Sequence, residues 1–92
     1  MISGINGSNF ILESSVRLRV ESKMIDRAEI VGSKGKYIVV FYGSFAEWQG
    51  EPVVLCSARD PYRPKLFRSL DGAVSRVTRI GLDKISVSIE QT

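Results

Sequence analysis

The sequence predicts an α+β fold: a mostly antiparallel β-sheet of four to five strands, with one main helix at about residues 70–80 packed on one face. Three stretches predict it. Leu70, Ala73, Val74, Val77 and Ile80 recur at helical spacing, which makes one apolar stripe. Tyr37, Ile38, Val39, Val40, Phe41 and Tyr42 are β-branched or aromatic throughout and follow two glycines, Gly32 and Gly35. Ile85, Val87 and Ile89 alternate with Lys84, Ser86, Ser88 and Glu90, the pattern of a strand with one dry and one wet face.

The helix is delimited at both ends. Ser69 stands at the N-cap position, where its hydroxyl accepts from an amide of the first turn. Asp71 follows in that turn, where a negative charge suits the helix dipole. Gly81 comes just past the last apolar residue, the usual place for a left-handed stop.

Residues 1–92 form a single small domain, and residues 1–9, rich in glycine, serine and asparagine, read as an irregular N-terminal arm. Phe10, Ile11 and Leu12 anchor that arm to the body. Val16, Leu18 and Val20 alternate with Arg17, Arg19 and Glu21, so residues 15–21 read as a half-buried strand. Met24, Ile25 and Ala28 fit one helical turn or a continuing bent strand. Residues 28–42 read as a hairpin turning at Gly32 to Gly35, which supply the positive φ of a tight reversal. Its second arm, apolar on both faces, is the central strand, with the helix over one face and the arm or a second subunit over the other. Residues 43–50 read as a loop. Pro52 opens a strand that runs on to Arg59, since a missing amide does least harm at a strand's start. Pro61 and Pro64 make residues 60–64 an ordered turn, and residues 65–68 a short extended lead into the helix. A sheet covered by one helix layer leaves its opposite face to be buried, and this predicts a homodimer.

Composition narrows the chemistry. At 92 residues and 43% hydrophobic content, the chain has enough apolar matter for one core. It contains no histidine and a single cysteine, Cys56. Serine–histidine and cysteine–histidine triads are thereby excluded, and no internal disulfide can form. No apolar run reaches the roughly 20 residues of a membrane helix, and the N-terminal stretch lacks the basic start and apolar core of a signal peptide. The expectation is a cytoplasmic protein without membrane contact, cofactor, metal or catalytic residue.

The net charge of +3 is unevenly spread. Arg59, Arg63, Lys65, Arg68, Arg76, Arg79 and Lys84 face only Asp60, Asp71 and Asp83 over residues 59–84, which leaves that segment at +4 and the rest at −1. Arg59, Arg63, Lys65, Arg68, Arg76 and Arg79, interleaved with Tyr62 and Phe67, suit a nucleic acid: cations for phosphates, aromatics for unpaired bases. On helical spacing Arg76 and Arg79 lie away from the apolar stripe and reach outward. The plainer alternative is a solvated helix face with Phe67 in the core.

A second candidate is the loop carrying Phe45 and Trp48, which with Tyr62 would anchor a protein partner; the alternative is that Phe45 and Trp48 fold back to close the sheet. Asp60 with Asp83, or Glu47 with Glu51, would be needed as a carboxylate pair for an enzyme, and no spacing brings them together. Cys56 reads as a small core hydrophobe. Residues 32–36 contain the glycines and lysines of a phosphate loop but lack its spacing and its following helix, so they are a hairpin turn.

Residues 36–40 (Lys-Tyr-Ile-Val-Val), 51–55 (Glu-Pro-Val-Val-Leu), 64–71 (Pro-Lys-Leu-Phe-Arg-Ser-Leu-Asp) and 80–82 (Ile-Gly-Leu) resemble short bacterial accessory proteins of plasmids and other mobile elements, among them partition-associated and gene-cassette proteins. The resemblance covers about residues 28–89 and implies a small accessory module with no catalytic residue to carry over. The expected function is therefore a non-enzymatic binding module that contacts nucleic acid through the basic 59–79 segment. A protein-interaction module using the Phe45/Trp48 loop or an exposed sheet face is the alternative, and a small-molecule binder or enzyme a distant third.

Overall fold

A computed structural model of the chain describes residues 10–33, 35–43, 47–48, 51–57, 59 and 63–89. They form, in chain order, β1 (Phe10–Ile11), α1 (Glu13–Glu21), β2 (Arg27–Ser33), β3 (Lys36–Tyr42), β4 (Glu47–Trp48), β5 (Glu51–Leu55), α2 (Leu70–Ile80) and β6 (Ile85–Ile89). The sheet order is β1-β5-β3-β2-β6, with β4 paired to β5 off that path. β3 is central, as its two-sided apolar sequence predicts.

The class is α+β, and the sheet is mixed. β2 and β5 pair antiparallel with β3, whereas β1 pairs parallel with β5 and β6 parallel with β2. β1, β2, β5 and β6 thus run one way and β3 against them. A strand that re-enters a sheet in the same direction needs a crossover of a dozen or more residues, usually a helix. α1 provides it from β1 to β2, and α2 from β5 to β6.

That requirement explains the main correction. Residues 15–21, expected to be a strand, belong to α1. Val16 and Val20 sit four apart, a spacing that suits a helix face as well as an alternating strand. Leu18 separates the two readings: it is 65% exposed, while Val16 is fully buried. Arg17 reaches back one turn to Glu13 at 3.3 Å, an i,i+4 pair that only a helix makes. Residues 22–26 are neither helical turn nor strand. Lys23 takes a left-handed φ of 61°, and the Met24 and Ile25 amides donate to the Arg19 carbonyl at 2.8 and 3.2 Å.

α2 matches its expectation closely. The Ser69 hydroxyl accepts from the Gly72 amide at 3.1 Å, and Gly81 closes the helix at φ 112°. Ala73, Val77 and Ile80 are buried, with Leu70 and Val74 partly so. These side chains and Val16 pack on Ile30, Val39, Phe41, Val53 and Leu55, so both helices cover one face of the sheet. On the other face Val31, Ile38, Val40 and Val54 form a smaller cluster with Phe10 and Tyr42, buried within one chain. The arm at residues 1–9, expected to help cover that face, lies outside the described residues.

The β2–β3 register pairs Ser33 with Lys36, so the reversal takes two residues, with Gly35 at φ 84°. Gly32, at φ 151°, answers a separate need: a Cβ there would run into the Lys36 carbonyl oxygen. Other boundaries shift. β4 occupies part of the expected 43–50 loop, and β5 ends at Leu55 instead of continuing to Arg59. Beyond Leu55 the chain folds back on itself. The Ser57 amide donates to the Arg63 carbonyl at 2.9 Å and the Lys65 amide to the Leu55 carbonyl at 2.8 Å. Phe67 then exchanges two backbone bonds with Tyr37 of β3. The expected extended lead into α2 is therefore tied to both β5 and β3. β6 is a strand, but its expected dry face is wet: Val87 is 43% and Ile89 53% exposed.

Candidate functional site

Because both helices cross over between strands of the same direction, they lie side by side and run the same way. Glu13 meets Arg76 at 3.1 Å, the Arg17 guanidinium donates to the Arg79 carbonyl at 3.0 Å, and a Cβ on Gly81 would touch Val20 at 3.6 Å. This seam collects cations from three parts of the chain. Arg76 and Arg17 both bond Glu13, Lys65 lines the same cavity as Glu13 and Arg76, and the Arg79 carbonyl accepts from Arg17 further along.

At one end of the seam lies a cavity of about 270 Å³, lined by Leu12, Glu13, Ser14, Leu55, Cys56, Lys65 and Arg76. It sits beyond the carboxyl ends of the parallel strands β1 and β5, at the start of α1. Open α/β sheets commonly bind ligands in that position. At about 270 Å³ the cavity falls just below the roughly 300 Å³ at which small-molecule pockets begin.

The sequence-predicted cations divide into groups. Arg59, Arg63, Arg68 and Arg79 are exposed. Lys65 is half-buried, its ammonium 5.9 Å from the Phe67 ring centroid. Arg76 does not reach outward unpaired as expected. Its angle on α2 is right, but α1 packs beside it and Glu13 takes its guanidinium. Phe67 is buried at 8% exposure, so it cannot stack on a base, and the plainer alternative holds for it. Cys56 is buried, as read. Tyr62, Phe45 and Asp60 lie outside the described residues. Of Trp48, Glu47 and Glu51, only backbone pairing is described, Trp48 opposite Glu51.

Two residues join the site beyond those expected: Glu13, and Arg17, which alternation assigns to a strand. Their signal was present as an acid and a base four positions apart, and it was masked by the alternation of residues 16–21. Among the described residues no three metal-ligating side chains come together, and no helix is long and apolar enough to cross a membrane. No protein-family model, curated protein or solved structure matches the chain.

Proposed function

We propose that this chain is a small non-enzymatic binding module that grips the phosphate backbone of a nucleic acid along the α1–α2 seam and the adjoining 63–68 segment. One observation carries the reading. Lys65, Arg76 and Arg17 gather around Glu13, whose carboxylate bonds Arg76 and Arg17, Arg79 is exposed one turn further along α2 with its carbonyl held by Arg17, and Arg63 and Arg68 are exposed on the strip that enters α2. Exposed cations in a row neutralise phosphates and release counterions. With Phe67 in the core, backbone contact outweighs base stacking, so the binding is sequence-tolerant. The absence of histidine and the burial of the lone cysteine favour binding over catalysis. The resemblance of residues 36–40, 51–55, 64–71 and 80–82 to accessory proteins of plasmids and gene cassettes supports reading it as an accessory module of a mobile element.

The test is fluorescence anisotropy with labelled single- and double-stranded oligonucleotides over a salt series. Three to four phosphate contacts give a slope of about −2.7 to −3.6 in log K against log salt on duplex. A triple variant, Lys65→Gln, Arg68→Gln and Arg79→Gln, should weaken binding and flatten that slope. Failure of the wild-type chain to bind either oligonucleotide at low salt would end the proposal.

A further inference from the structure

β6 is the last strand of the sheet, and among the described residues β2 is its only strand neighbour. The Ala28 amide donates to the Lys84 carbonyl at 3.0 Å, which sets which backbone groups of β6 point towards β2. In a parallel pair these alternate, so Lys84, Ser86 and Ser88 face β2. The amides and carbonyls of Ile85, Val87 and Ile89 are left aimed at the open edge. Among the described residues, the five residues of that edge strand include no proline and no charged side chain. Its side chains Val87 and Ile89 are 43% and 53% exposed on the helix-bearing side.

The strand reads Ile85-Ser86-Val87-Ser88-Ile89, the same in either direction. We propose that the open edge of β6 pairs antiparallel with β6 of a second copy about a twofold axis through Val87, joining two sheets into one. In this register Val87 lies opposite itself, and its outward amide and carbonyl exchange both bonds with their equivalents. Ile85 faces Ile89 of the second copy, and Ser86 faces Ser88. Apolar residues thus meet on the helix side and hydroxyls on the other. In the sequence the palindrome is flanked by a lysine at position 84 and a glutamate at position 90, opposite charges at equal distance from its centre. A twofold axis normal to the sheet keeps each side chain on its own face. Of the registers that allow this, the one centred on Val87 pairs all five strand residues. The inference is independent of nucleic-acid binding. It also differs from a dimer through the opposite sheet face, where Val31, Ile38, Val40 and Val54 are already buried within one chain.

The test is sedimentation equilibrium of the full chain over a concentration series into the high-micromolar range, since an interface at the small end of the specific ones is weak. Wild type should rise towards twice the monomer mass. Val87→Lys, which sets lysine against lysine on the axis, should stay monomeric with an unchanged circular-dichroism spectrum. Val87→Cys covers the case in which the lysine variant does not fold. Paired residues about 5.5 Å apart at their Cα atoms are within disulfide reach, so mild oxidation should crosslink Val87→Cys. Ser86→Cys, which faces position 88, should stay uncrosslinked, and so should wild type, whose Cys56 is buried. A wild-type chain that remains monomeric throughout overturns the proposal. So does a dimer that survives Val87→Lys and leaves Val87→Cys uncrosslinked.

Discussion

Glu13 accepts from the Arg76 guanidinium at 3.1 Å across 63 positions of sequence, and its second oxygen takes Arg17 from one turn along α1. This carboxylate joins the first turn of one crossover helix to the middle of the other. Glu13 and Arg76 remain 32% and 38% exposed, so water screens the attraction, and a pair of this kind contributes no more than about 1 kcal/mol.

Replacing Glu13 therefore separates stability from binding. Glu13→Gln should lower unfolding stability by less than about 1 kcal/mol in urea titrations. It also removes the negative charge from the cations gathered around it. A phosphate seated about 4 Å from that position gains about 1 kcal/mol even in high dielectric, roughly a fivefold rise in oligonucleotide affinity. A small loss of stability with unchanged affinity would place the nucleic acid away from the seam.

The β2–β3 hairpin contains two glycines that resist substitution for different reasons. A Cβ on Gly32 collides with the backbone oxygen of Lys36, whereas a Cβ on Gly35 meets nothing within 4 Å. Gly35→Ala should cost about 1–2 kcal/mol, the penalty of a left-handed L-residue, and Gly35→Asn less, since asparagine tolerates that conformation. Gly32→Ala should cost more than Gly35→Ala, because strands β2 and β3 must part to admit it, and Gly32→Asn should give no relief. Midpoints of urea unfolding at constant slope report the difference. Equal costs at the two positions would show that dihedral preference alone governs the hairpin.

α2 was legible from sequence because its local and tertiary signals agree: Ser69 caps it, Gly81 stops it, and the residues at helical spacing are those that pack on the sheet. In α1 the signals conflict. Val16, Leu18 and Val20 satisfy the strand period, yet a parallel crossover had to span residues 12–26, and topology overrode the pattern. Arg76 shows how such an error spreads. Its direction on α2 follows from periodicity, but its partner Glu13 sits next to the misread segment, so the ion pair could not be foreseen. β6 shows a different limit. Alternation correctly marks Val87 and Ile89 as one face, but it does not say whether a helix extends far enough to cover that face.

Tyr42 reports on the face of the sheet opposite the helices. Its hydroxyl donates to Glu29 at 3.2 Å, Glu29 also accepts from Ser88 at 2.7 Å, and the Arg27 guanidinium lies 5.5 Å from the Tyr42 ring centroid. Burial is the main cause that raises the phenol above its ordinary value of 10.0, the Glu29 charge and hydrogen bond add to it, and Arg27 opposes them. The folded state thus holds the proton more tightly than the unfolded chain. By linkage, the stabilisation from this group is complete below pH 10.0 and is lost as pH rises through the folded value. Tyrosinate absorbance should include a late component from Tyr42, and Tyr42→Phe should remove it. The same variant should lose about 1 kcal/mol at neutral pH with the hydrogen bond, and its stability should fall less steeply in alkali than that of wild type. An unchanged alkaline slope in Tyr42→Phe would mean that another group, and not the Glu29-bound phenol, governs high-pH unfolding.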